Sequence, residues 1–139
     1  MRAALAFALL CLSAALACAQ QTCPSRELCD SKTLSGRPYF LCLEKAMRET
    51  HQAMETLITR INDLIDSRAD LAPAQRSRWK SSLEEAQILF VRFRNQECQA
   101  VAPFEGQGWA RVGTFEERLL CLIDKNVTRT RELEARYTK

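Results

Sequence analysis

Between residues 38 and 68 the apolar side chains recur three and four positions apart, at Leu43, Met47, Met54, Leu57, Ile58, Ile61, Leu64 and Ile65. That spacing puts them on one face of a long helix, and a face of this length commits the chain to helix packing. Pro38 suits the first turn, where a missing N–H costs nothing. Met47 and Met54 read as core filler on this seam rather than as a copper-binding stripe. Composition agrees: four Gly and four Pro in 139 residues leave little material for strands and tight turns.

Two further stretches carry the same period. The chain breaks at Asp70-Leu71-Ala72-Pro73, where Asp70 or Ala72 can open a second helix with Pro73 in its first turn. This helix runs to about Gln99 with an expected inward stripe of Trp79, Leu83, Ala86, Phe90 and Phe93. Arg76, Arg78, Lys80, Glu84, Glu85, Arg92 and Arg94 then form a solvated surface. Residues Val101 to Gly113 hold Gly106, Gly108, Gly113 and Pro103, and are expected to form the principal loop. Thr114 and Glu117 make a capping box for a third helix bearing Phe115, Leu119, Leu122, Val127, Leu133 and Tyr137. The prediction is an all-α fold, a small disulfide-stapled antiparallel bundle of three main helices over 38–137, preceded by an irregular segment at 20–37.

Seven cysteines against one histidine point to export. After Arg2, the run from Ala3 to Ala17 is apolar or small with Ser13 the one polar residue, a signal-peptide core shorter than the roughly 20 residues that span a bilayer. Residues 1–19 are therefore expected to be removed after Ala19, with Ala15-Leu16-Ala17 a competing site, and the mature protein to be periplasmic or secreted. Read instead as a lipoprotein box, Ala15-Leu16-Ala17-Cys18 would anchor the chain through acylated Cys18, but the box lacks its leading Leu. Loss of Arg2 lowers the formal net charge of +3 by one, and no basic run or basic-aromatic patch suggests nucleic acid.

With Cys11 and Cys18 removed, Cys23, Cys29, Cys42, Cys98 and Cys121 remain where disulfides persist. The number is odd, so one thiol is left over. Cys98 closes the second helix and Cys121 lies about two turns into the third, so a bridge between them would close the glycine loop and contribute roughly 3 kcal/mol. Cys42 should join Cys29 or Cys23; Cys29 gives the shorter loop. No C-x-x-C spacing occurs and His51 is distant from the later pair, so no metal or cofactor is expected.

The run from Ala86-Gln87 through Phe90, Phe93-Arg94-Asn95 to Cys98 resembles the signature of the LprI-type lysozyme-inhibitor family, with Phe90 in place of Trp and Asn95 in place of Asp. Cys121-Leu122 followed by Arg129-Thr130 and Glu132-Leu133 is similar to its closing block, with Asn126 where Thr is usual. The resemblance runs from Cys29 to Leu133. It implies a small exported helical domain, a Cys98–Cys121 pairing and, for the family's namesake, lysozyme inhibition. Phe90 and Phe93 would belong to the core, and Arg94 and Arg129 would cap or pair between helices.

The residues argue against catalysis. His51 sits mid-helix on a polar side, away from any activated nucleophile. Glu84-Glu85 and Glu116-Glu117 point to different faces of their helices rather than across a shared cleft. Gly106 and Gly108 lack the Lys-Ser/Thr of a phosphate loop. The expectation is a non-enzymatic binding protein with a protein partner, plausibly a lysozyme blocked by occlusion. Phe104, Glu105 and Trp109 of the glycine loop are the candidate contact residues, against the simpler expectation that Phe104 and Trp109 close one end of the bundle. The alternative is a structural or assembly protein of the envelope, linked as a dimer through its odd cysteine. Asn126-Val127-Thr128 forms a glycosylation sequon, read as coincidence on a helix.

Overall fold

A computed structural model describes residues 23–105 and 111–137, with side chains described to Pro103 and again from Thr114. Residues 1–19, with Cys18, lie outside this range, as do Trp109 and the side chains of Phe104 and Glu105. The elements are α1 (Pro24–Leu28), α2 (Gly36–Asp66), α3 (Pro73–Gln96), a π-helical turn (Glu97–Val101), α4 (Ala102–Glu105) and α5 (Arg111–Tyr137). No strand occurs among the described residues, so the fold is all-α.

Three boundaries differ from the sequence reading. The segment expected to be irregular contains α1, which starts on Pro24 and docks on α5. There Asp124 accepts from the Ser25 amide at 2.7 Å and from its hydroxyl at 3.0 Å. The expected loop from Val101 is helical as far as Glu105, through a wider turn in which the Ala102 amide reaches back to the Glu97 carbonyl. Pro103 fits because it falls in the first turn of α4, where a donor is not needed. Helix α5 begins at Arg111, ahead of Thr114.

Helix α2 opens on Gly36, whose φ of +57° an L side chain would adopt only with strain. Helix α3 opens with Pro73 after Ala72, whose amide donates to Gln75 Oε1 at 2.9 Å. Ala72 has no side-chain oxygen, so the reciprocal half of a capping box is missing.

Two apolar clusters close the seam between α2 and α5. One joins Tyr39, Leu43 and Ala46 to Leu119, Leu120 and Ile123, with Cys29 beneath. The other joins Leu57, Ile61 and Ile65 to Leu133, with Leu83 of α3 and the partly buried Tyr137 against them. Early residues of α2 thus meet early residues of α5, and late meet late, so these two helices run in the same direction. Leu83, near the middle of α3, packs on the last turns of α2. Disulfides Cys29–Cys42 (Cα–Cα 5.9 Å) and Cys98–Cys121 (Cα–Cα 5.3 Å) fasten the opposite end, while Cys23 is exposed and unpaired. Lys80 meets Asp66 at 2.6 Å beside the α2–α3 connection.

Candidate functional site

Helix α3 presents a different face to its neighbours from the one its apolar residues suggest. Leu83, Gln87, Arg94 and Cys98 are buried, at spacings of four, seven and four that define a single helical line. Of the expected stripe, Leu83 is buried and Phe90 half-buried, whereas Ala86 is exposed, Trp79 lies at the edge of exposure beside Tyr137, and Phe93 is 51% exposed. The correction has a physical cause: Cys98 and Leu83 are pinned by the disulfide and the end cluster, and everything on their line turns inward with them. Gln87 and Arg94 are carried into the protein.

Arg94, expected on the solvated surface, is 7% exposed and is the centre of a polar layer between the two apolar clusters. Its guanidinium donates to Asn126 Oδ1 at 2.7 Å, to Asn95 Oδ1 at 3.1 and 2.8 Å, and meets His51 Nδ1 at 3.3 Å. His51 is half-buried rather than on the surface, and its ring must present the Nδ1 lone pair to Arg94. Asn126 Nδ2 in turn donates to Thr50 Oγ1 at 3.2 Å, and Thr50 closes the chain on the carbonyl of Ala46 at 2.8 Å.

The hydrogen-bond partners of the guanidinium are two side-chain amides and an imidazole, with no carboxylate among them. Burial lowers the Arg94 pKa, and the more distant carboxylate of Glu55 offsets part of that shift. With Asn126 1% exposed and engaged on both sides of its amide, the sequon it begins has no free acceptor.

Two grooves flank α3. The one toward α5 has a volume of about 520 Å³ and is lined by Phe90, Phe93, Asp124, Lys125, Thr128 and Arg129 among others. Lys125 Nζ stands 4.9 Å from the Phe93 ring centroid, and the Arg129 guanidinium 5.2 Å from that of Phe90. These are cation–π distances, and they set two aromatic rings and two positive charges along one groove, with Phe93 exposed, Phe90 and Lys125 half-buried and Arg129 largely buried. Arg129 also meets Gln87 Oε1 at 3.4 Å and Glu132 at 3.5 Å. The second groove, toward α2, has a volume of about 590 Å³.

A family model described as lysozyme inhibitor LprI matches residues 29–133. The chain belongs to the LprI lysozyme-inhibitor family. The match covers both disulfides, the polar layer and both grooves, and excludes Cys23 and α1. A search of curated proteins and one of solved structures each find no match. Within the LprI signature, Arg94 pairs between helices as the resemblance implied, Gln87 is interior, and Phe93, expected in the core, faces outward. Among the described residues no helix is long and apolar enough to cross a membrane. Sequence reasoning missed Gln87 and Asn126 as interior groups; the signal available was their position on the helical lines through Cys98 and Leu133.

Proposed function

We propose that this chain is an exported, non-enzymatic inhibitor that blocks a lysozyme by occupying its substrate cleft. Membership of the LprI family over residues 29–133 is the observation that carries the reading. Two disulfides in a domain of this size favour a periplasmic or secreted location, with residues 1–19 acting as the signal peptide and 38–137 as the working domain.

Occlusion needs a rigid surface with an anchor. A glycosidase cleft carries paired carboxylates, so a complementary surface is aromatic and cationic. The Phe93–Lys125 edge of the α3–α5 groove has both properties and sits on helices fastened by Cys98–Cys121. Phe104 and Glu105 of α4, with Trp109, form the competing contact. The small positive net charge gives no long-range attraction to a basic lysozyme, so the affinity must come from short-range fit.

A lytic assay with the purified mature protein in micromolar excess tests the reading, and an unchanged lysozyme rate rejects it. If inhibition is seen, Phe93→Ala with Lys125→Ala should relieve it while Trp109→Ala should not; the reverse pattern assigns the contact to the loop.

The exposed thiol of Cys23 favours a second reading, an envelope assembly protein joined as a disulfide-linked dimer. Non-reducing electrophoresis decides it, since a monomer with one alkylatable thiol excludes such a dimer. The intact mass before and after reduction gives the cleavage site, any acylation at Cys18 and the number of bridges.

A further inference from the structure

The α2–α3 groove has a property that its neighbour toward α5 lacks. Two of the residues lining it carry buried polar atoms with no hydrogen-bond partner, Gln87 Nε2 on α3 and Asn62 Oδ1 on α2. Gln87 is 6% exposed, and its amide orientation follows from chemistry: Arg129 Nε is a donor, so the atom facing it at 3.4 Å must be Oε1. Nε2 is left as a donor without an acceptor. The two unpaired atoms are an acceptor and a donor, stand on different helices and are not bonded to one another. Buried groups in this condition carry a desolvation cost that an occupant with the matching acceptor and donor would remove.

A trans secondary amide has that pattern, because its C=O and N–H point to opposite sides of a planar unit. Placed between the helices, it accepts from one and donates to the other. The volume of about 590 Å³ is in the range of small-ligand sites. Ile58, Ile88 and Val91 supply apolar surface for a methyl or methylene next to the amide, and Glu55, Glu84 and Arg92 supply charged acceptors and a donor for polar groups around it.

We infer that the α2–α3 groove binds a small polar ligand through a trans secondary amide, its carbonyl on Gln87 Nε2 and its N–H on Asn62 Oδ1. An acetamido group on an aminosugar and the backbone amide of a short peptide share this chemistry.

Titration calorimetry and amide NMR shifts on the mature protein test the inference without any lysozyme, so the result is independent of the lytic assay. The probes are an N-acetylglucosamine trisaccharide, an N-acetylated dialanine methylamide, and a glucose trisaccharide as the amide-free control. At least one amide probe should bind saturably, with shifts at residues lining the groove, and the control should not; whichever probe binds identifies the source of the amide. Gln87→Glu keeps an acceptor for Arg129 but replaces the donor, and should weaken binding by about tenfold or more. Asn62→Leu removes the acceptor from the other wall and should do the same. Failure of both amide probes to bind, equal binding of the glucose control, or unchanged affinity in folded Gln87→Glu and Asn62→Leu proteins would overturn it.

Discussion

The seam between α2 and α5 is built in two ways along its length. At its ends Leu43, Ile61, Ile65, Ile123 and Leu133 are almost wholly removed from water and interact only through packing. In its middle Thr50 and Asn126 replace them, and Arg94 of α3 reaches in to join the two. Apolar clusters are non-directional and stabilise any register that buries area. A polar layer must meet donor with acceptor, so a shifted register leaves a buried guanidinium without partners. A single polar position fixes pairing in this way in coiled coils. The ends therefore supply most of the stability, and the middle fixes which arrangement is stabilised. The same layer explains how α3 holds its place with few apolar contacts of its own.

That division can be broken at its strong end first. Ile61→Ala should cost about 2–5 kcal/mol, seen as a lowered urea midpoint at unchanged slope, because it opens a cavity in a cluster with no slack. Asn126→Ala should cost less, about 1–3 kcal/mol, by stripping the shortest acceptor from Arg94. In a double-mutant cycle with Arg94→Met the two losses should be strongly non-additive; additive losses would mean the layer is not a unit. Asn95→Asp sharpens the comparison in the opposite direction. It restores the family's carboxylate at the atom already accepting two bonds from Arg94, and should raise thermal stability by about 1 kcal/mol.

The smallest effect belongs to the exposed α2–α3 connection. There the hydrogen bond from Arg68 at 2.6 Å, with its positive charge, holds the Asp70 carboxyl at about 2. Because the folded-state value is depressed, the contribution of this pair is present above the ordinary carboxylate range and is lost as pH falls through about 2. An NMR titration should place the Asp70 midpoint there, and Arg68→Ala should return it to the ordinary range with little change in melting temperature. A large change would contradict the assignment of stability to the buried clusters.

Legibility in the sequence followed the same division. Where α2 and α5 bury hydrocarbon, the three-and-four period located the inward residues, from Leu43 to Ile65 and at Leu119 and Leu133. It missed Leu120, Ile123 and Asn126, which neighbour that stripe, and it left Leu64 and Phe115 inward when both are exposed. On α3 apolar residues lie on more than one face: Trp79, Ile88, Leu89 and Phe93 all have 36% or more of their surface exposed. A period that seeks the apolar side has no unique answer there. The candidate site was legible only in part, since Phe90 and Phe93 were selected as core residues and Gln87, Asn62 and Lys125 were not singled out. The helical turns at Glu97–Val101 and Ala102–Glu105 were hidden because Pro103 and the following glycines signal a loop, although a proline in a first helical turn is no obstacle.

By itself the sequence determined that this protein is all-α and that its chain breaks before Pro73. It also carried the LprI signature that assigns its family, because period, proline placement and motif are local properties. The tertiary structure alone decided which face of α3 points inward. It also decided that Arg94 is buried against side-chain amides and an imidazole, and that Gln87 and Asn62 line one groove. Those outcomes depend on how the Cys98–Cys121 bridge and the end clusters rotate α3 against α2 and α5, and rotation about a helix axis is set by contacts between elements that lie far apart in the chain.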